Sequence, residues 1–238
     1  MEKAGTITLI LAEAALEMVP QEISSHPAVK NHASRLGARW SQLLLDKSYH
    51  YAAMKKLADS AKRGRPDIAH FALMEALSTP LFMENKLRVY VHTTNDKIIA
   101  IADNLRIPKS YFRFEGLMVK LFTEGSAKSE DGAVLMELSD GTFASLLKSI
   151  AAEKVIGLST TGVRAAPEQV ARTLTGTQNC AVVVGGFPRG HFGEKTTRHL
   201  GPTYSVSGIG LEAHVVIARV LYECEKLLEK GVNHESDE

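Results

Sequence analysis

CAVVVGGFPRGHF (180–192) sets an unbroken apolar run against a glycine pair, with a further glycine at 190. A short, valine-rich run closed by glycine has the pattern of a strand buried on both faces. VIGLST (155–160) and TYSVSG (203–208) repeat the theme, each starting apolar and running into Gly, Ser or Thr. Between the first two, Pro167 opens a helix. The chain ends on an amphipathic helix from 209 to about 230. Strands alternating with helices predict an α/β fold with a mainly parallel sheet. Ligands in such sheets sit at the carboxyl ends of the strands, which is where these glycines fall. Glycine there lets backbone amides and carbonyls come close to a ligand.

The same reading extends toward the amino end. TITLILAEAAL (6–16) begins as a buried strand and then turns helix-prone. Residues 20–50 read as loop plus a short helix, broken by Pro20, Pro27 and Gly37. Residues 51–61 read as a helix ended by Gly64. Pro66 and Asp67 open the next, running to about 78 with Ile68, Phe71, Leu73, Met74 and Leu77 toward the core and Pro80 as its stop. LRVYVHTT (87–94) and KIIAIA (97–102) form a hairpin across Asn95-Asp96. YFRFEGLMVKLF (111–122) reads as a helix that Gly116 weakens, 124–141 as a polar loop or insertion, and 142–151 as a short helix.

With 238 residues, 45% hydrophobic and 23% charged, the chain is an ordinary globular length and composition. Cys180 and Cys224 lie far apart, outside any metal-ligand spacing, and read as core thiols of a reducing compartment. The apolar stretch 7–16 is interrupted by Glu13 and too short to span a membrane; no charged leader or cleavage site marks a signal peptide. The net charge of +1 excludes a wholly basic nucleic-acid binder. Its distribution is uneven. Residues 55–65 carry five basic groups against Asp59, and 86–120 carry seven against three acids, so each is locally +4. Residues 1–25, 121–140 and the tail from Glu223 are acidic. Two basic segments that meet in space would make one polyanion-binding face.

The glycine loops match neither G-x-G-x-x-G nor a phosphate loop, and no H-E-x-x-H, G-x-S-x-G or C-x-x-C occurs. His92 and His214 read as packing or surface residues, with His191 open in its glycine loop. Nothing points to a metal, a nucleophile triad or a carboxylate pair. Group transfer from an activated cofactor, governed by positioning, fits best.

RPDIAHFALMEALSTPL (65–81), KLRVYVHT (86–93), LRIPKSYFRFEGLMVKLF (105–122), VVVGGFPRG (182–190) and TYSVSGIGLEAHVVIARV (203–220) together resemble the small-subunit ribosomal RNA pseudouridine N1-methyltransferases. These are the nucleolar essential protein family of the SPOUT methyltransferase superfamily. The likeness spans most of residues 6–230 and is strongest to compact archaeal-type members. It implies a single SPOUT domain over 1–238, with family-specific elements at about 20–65, an insertion at about 124–141 and a deep trefoil knot within about 154–230. It implies S-adenosyl-L-methionine bound by Leu158, Ser159 and Thr160, by Gly185 and Gly190, and by Thr203, Tyr204, Ser205, Val206, Ser207 and Gly208. Ser205 stands where some relatives carry proline. RNA contacts fall on Arg65, Arg106, Lys109 and Arg113, with Asp67 orienting a catalytic Arg65. Lys109 and Arg113 share a face if helix begins there. The partners implied are an rRNA hairpin containing pseudouridine, a second copy of the chain, to which the last helix offers Leu211, Val215, Ala218, Leu221 and Leu228, and a small-subunit ribosomal protein. Neither membrane nor DNA is among them. The setting implied is the cytoplasm, or the nucleolus for a eukaryotic source. A non-catalytic RNA-binding assembly factor is the alternative.

Overall fold

The computed structural model describes residues 6–103 and 105–235, with side chains through Glu229. Glu2, Lys3 and the last acids of the tail lie outside them. The chain runs β1 (Ile7–Ala14), α1 (Pro27–Leu36), α2 (Lys47–Met54), α3 (Pro66–Ala76), α4 (Pro80–Met83), β2 (Leu87–Thr93), β3 (Lys97–Ile101), α5 (Tyr111–Glu124), β4 (Ser126–Lys128) and β5 (Val134–Asp140). Then follow α6 (Phe143–Ser149), β6 (Lys154–Arg164), α7 (Pro167–Thr175), β7 (Cys180–Gly185), α8 (Glu194–Thr197), β8 (Thr203–Ser205) and α9 (Ala213–Glu235).

The strands form one sheet in the order β4-β5-β3-β2-β1-β7-β6-β8. The five from β2 to β8 are parallel, as the apolar runs predict. An antiparallel edge of β3, β5 and β4 completes the sheet. β1 and β7 lie side by side at its centre, and alternation divides their side chains between two faces. Leu9, Leu11, Val182 and Val184 join the core under α3 and α9. Ile10, Ala12, Ala181 and Val183 pack with Phe143 and Leu146 of α6. Residues 19–57 bury a separate small cluster around Val29, Leu45 and Met54. Both cysteines are buried, and burial pushes the Cys180 thiol up to about 11 and that of Cys224 up to about 12.

Several local expectations fail, each for a reason visible in the packing. Residues 12–16 do not become helical. β1 runs through Ala14, and the Ala15 amide donates to the Gly186 carbonyl at 2.9 Å, so pairing overrides the helical propensity of Ala and Glu. The helix expected at 51–61 is α2, which starts earlier because the Asp46 carboxylate caps the Ser48 amide at 2.7 Å. Beyond Met54 the lysine-rich chain has little apolar face to bury and turns. Segment 124–141 is no loop. β5 pairs with β3 from Lys97–Asp140 to Ile101–Met136 and with the short β4 on its other side, a half-buried strand whose outer positions are polar. Pro80 opens α4, capped by Thr79, and α9 begins at Ala213, later than 209. Phe71 is half exposed instead of core. The Asn95-Asp96 hairpin forms as expected, with Asp96 at φ 54°.

The buried polar groups join elements that apolar packing leaves separate. Arg63 Nε and Nη2 donate to Glu17 Oε1 and Oε2 at 2.7 and 2.6 Å, and Asn95 Nδ2 donates to Glu17 Oε2 at 2.8 Å. Asp46 also accepts from the Tyr111 hydroxyl at 2.6 Å, linking α2 to α5. The Asp46 amide donates to His50 Nδ1 at 3.1 Å, so the proton of neutral His50 sits on Nε2, 3.0 Å from His32 Nδ1. Burial, with His32 adding to it, pushes His50 down to about 4.

Two outcomes are expected. Glu17→Ala strands the Arg63 guanidinium in a nearly dry site and destabilises the fold by about 3–5 kcal/mol in urea denaturation at neutral pH. The unfolded chain binds a proton at His50 near pH 6.5 and the folded chain only near 4. His50 therefore contributes stability that is complete above 6.5 and is lost as pH falls toward 4, by about 3 kcal/mol. His50→Gln should remove that part of the slope between pH 6.5 and 4.

Candidate functional site

At the carboxyl ends of β6, β7 and β8 lies a cavity of about 330 Å³. Its walls come from Leu158–Thr160 at the end of β6, from the loop after β7, from Tyr204–Ser207, and from the first turn of α9. Arg65 and Ile68 close it from the start of α3. Of the positions singled out as cofactor contacts, Leu158, Ser159, Thr160, Gly185, Gly190, Tyr204, Ser205, Val206 and Ser207 line this one space. Thr203 and Gly208 do not. Thr203 sits in the β8 ladder opposite Gly157, and a Cβ on Gly208 would stand 3.5 Å from the Arg164 guanidinium.

The shape of the cavity follows from three local constraints. β6 pairs with β8 up to Leu158 and again from Val163, so Ser159 and Thr160 bulge out of the ladder toward the cavity. A side chain at Gly162 would stand 2.6 Å from the backbone of Thr203 and Tyr204, so only glycine permits this approach. The Ser205 hydroxyl donates to the Ser207 carbonyl at 2.8 Å, and Ser207 Oγ accepts from the Ile209 amide at 3.2 Å. Those bonds hold the turn after β8.

The loop after β7 is held from below by residues that sequence reasoning missed. Glu13, at φ 51°, accepts from the Gly193 amide at 2.7 Å and from Lys62 Nζ at 2.9 Å. Lys62 Nζ also donates to the His191 carbonyl and lies 4.5 Å from the centre of the Phe187 ring. In the sequence Glu13 reads as an interruption of an apolar run and Lys62 as one of a basic cluster. The available signal is the carboxylate within a buried strand, which needs a partner. A non-glycine residue at positive φ is a further mark of a backbone held by its surroundings.

Arg65 precedes Pro66 at the start of α3. Its Nε and Nη2 donate to Asp67 Oδ1 and Oδ2 at 2.8 and 2.7 Å, a two-bond fork that fixes the guanidinium plane. That hydrogen bond raises its pKa above the ordinary arginine value, against the opposing effect of burial; nearby carboxylates, Glu212 and Asp46 among them, raise it further. Arg65 is thus a permanent cation on the cavity wall. Arg106, Lys109 and Arg113 are exposed, and none pairs with a carboxylate among the described residues. Helix α5 begins only at Tyr111, so Lys109 stands in the preceding loop and not on a shared helical face with Arg113. His70 Nε2 donates to the Pro108 carbonyl at 2.7 Å, tying that loop to α3, the helix that begins beside Arg65. His92 is buried against Asp96, His214 lies beside Phe71, and His191 lines the cavity.

The model of the EMG1/NEP1 methyltransferases matches residues 9–225. The chain belongs to the EMG1/NEP1 methyltransferase family. It is 38% identical over 227 residues to the ribosomal RNA small subunit methyltransferase Nep1 of Staphylothermus marinus, covering 95% of this chain and 98% of that one. To the protein of the same description from Thermococcus onnurineus it is 42% identical over 184 residues, covering 77% and 83%. Among solved structures it is similar to Archaeoglobus fulgidus Nep1 bound to S-adenosylhomocysteine. The TM-score is 0.83 at 36% identity, covering 94% of this chain and 99% of that one. The likeness implied by the quoted motifs is therefore confirmed at the level of the family and of the α/β fold.

The grip of Glu13 on the loop has a direct readout. Glu13→Ala removes a charge-assisted bond to the Gly193 amide and unpairs Lys62. Hydrogen exchange at Gly193 and its neighbours is expected to quicken about tenfold, with the amides of β1 and β7 unchanged.

Proposed function

We propose that this chain transfers a methyl group from S-adenosyl-L-methionine to small-subunit ribosomal RNA, and that the accepting atom is N1 of a pseudouridine in a hairpin. Family membership, the methyltransferase description of its relatives and the S-adenosylhomocysteine in a solved neighbour support the coarser reading. The observation that carries the reading to the site is that Arg65, from the basic segment, lines the same cavity as the glycine-ended strands.

The donor set suits that cofactor. Apolar walls from Leu158, Val184, Val206 and Val216 suit a purine and a methionine chain, while the hydroxyls of Ser159, Thr160 and Ser207 suit polar edges. The Glu212 carboxylate stands on the same wall and offers countercharge to a sulfonium. Bound there, S-adenosyl-L-methionine would supply an electrophilic methyl. In this reading Thr203 and Gly208 support the segment between them without lining the cavity. Pseudouridine is joined to its ribose through carbon, so its N1 is free but protonated, and negative charge develops on the ring as that proton passes to water, no side chain being assigned as its base. Arg65, locked by Asp67, stabilises that charge from a fixed position. Arg106, Lys109 and Arg113 hold the RNA backbone, and the target base is turned out of its loop to reach the cavity.

The wider reading is a homodimer working in the cytoplasm, with the C-terminal third, about 154–230, tied in a trefoil knot. The half-buried Leu211, Val215 and Ala218 favour a partner on the α9 side, whereas Leu221 and Leu228 are already spent on the chain's own core. Two free buried thiols agree with a reducing compartment. The knot is favoured by the path from β6 inward to β7 and back outward to β8. No helix among the described residues is long and apolar enough to cross a membrane.

Arg65→Ala is expected to lower methyl incorporation into a pseudouridine hairpin by about 100-fold or more. Its S-adenosylhomocysteine affinity, read by titration calorimetry, should stay within about twofold, well under the tenfold that marks 1.4 kcal/mol. Equal loss of both would remove Arg65 from the proposed role. A hairpin with uridine in place of pseudouridine should accept no methyl, because its N1 bears the ribose.

A further inference from the structure

The outer face of α5 carries two features that its own fold does not explain. Phe112 is 73% exposed, the most exposed large apolar side chain among the described residues. No aromatic partner lies beside it among them. Four residues on, in the middle of the helix and on the same face, stands Gly116, also exposed. Glycine weakens a helix interior relative to alanine, and here nothing requires it: its φ is ordinary, and a Cβ would meet nothing within 4 Å. Helical side chains lean toward the amino end, so any larger residue at 116 would lie across the Phe112 ring. Glycine leaves the ring bare.

The surroundings name the occupant. Arg113 follows Phe112 in the chain, Arg106 and Lys109 come just before it, and Lys120 continues the face one turn beyond Gly116. Arg106, Lys109 and Arg113 have no carboxylate partner among the described residues, and Lys120 only reaches Glu124 at 4.0 Å. A flat apolar face framed by unpaired cations fits an unstacked nucleobase with phosphates on either side. A second protein surface would need carboxylates to answer those charges. We propose that Phe112 and Gly116 form a stacking platform for an unpaired base of the RNA, read by shape instead of by hydrogen bonds. This rests on the reading of the chain as an RNA enzyme and adds a position that grips the RNA outside the reacting nucleotide.

The test uses the full chain and a hairpin RNA with 2-aminopurine in its loop. Phe112→Ala should weaken binding about tenfold and lose the quenching that stacking gives, while Phe112→Trp retains both. The slope of log affinity against log salt should stay as in the wild type for Phe112→Ala, since no phosphate contact is lost, and fall by about one for Arg113→Ala. Gly116→Leu should keep or raise the melting temperature and still weaken binding about tenfold, which separates a covered platform from a damaged fold. Unchanged affinity in Phe112→Ala and Gly116→Leu overturns the proposal, as does a change in sedimentation showing that Phe112 serves self-association. If the wild type fails to bind the hairpin at all, the reading as an RNA enzyme falls first.

Discussion

Two carboxylates at the end of the central strand hold the functional end of this protein together. Glu13 and Glu17 lie where β1 leaves the sheet, beside the glycine pair that ends β7. A carboxylate is stable so far from water only when cations and amides surround it. Glu17 takes the Arg63 fork and the Asn95 amide, and Glu13 takes Lys62 and the Gly193 amide. These bonds draw the segment 62–65, the hairpin turn at 95 and the loop 187–193 to one point. Arg65 reaches the cavity wall because the two residues before it in this chain, Arg63 and Gly64, are already anchored. The Gly64 carbonyl receives the Lys47 amide, and the Arg65 amide itself bonds to Ala15.

This division of labour reorders the charge pattern. The basic run at 55–65 looks like one polyanion face, yet Lys62 and Arg63 are spent on Glu13 and Glu17 inside the protein. The acidic amino-terminal segment is their partner and not a separate negative surface. Of that run, Lys55 and Lys56 stay exposed without a carboxylate partner among the described residues, and Arg65 stands at the cavity in its fork with Asp67; Arg106, Lys109 and Arg113 add exposed cations around the start of α5. A near-neutral total thus conceals a small, focused positive region, whose field at short range is what an RNA phosphate meets. The tie from His70 to Pro108 and from Tyr111 to Asp46 fixes that region against α3 and α2, so that the cations stand on a rigid base.

Most of the sheet was legible because its signals are local. β6, β7, β2 and β3 are runs whose apolar periodicity and terminal Gly, Asn or Asp residues survive any tertiary context. β5 was not, since a half-buried strand with polar outer residues has the composition of a loop until its partner strands supply its hydrogen bonds. The tail of β1 was misread for the opposite reason: Ala and Glu favour helix, and only the neighbouring β7 and β2 make strand cheaper. In the candidate site the glycine-ended strands and Arg65 were visible, but Glu13 and Lys62 were not. Their role depends on a contact between residues 49 and 129 or more positions apart, which no spacing in the sequence expresses.

By itself the sequence determined a mainly parallel α/β sheet, glycine-ended loops at its carboxyl edge, two core thiols and a family resemblance carried by five motifs. These depend on hydrophobic periodicity, on glycine's freedom and on motif order, all of which are properties of short stretches of chain. Only the tertiary structure decided which charges are structural and which are free, that the polar stretch 124–141 extends the sheet, and that Lys109 stands before α5 and not on it. It alone left Phe112 bare. Burial and pairing are set by residues distant in sequence, and the free energy of a charge or an aromatic ring depends on whether that distant partner arrives.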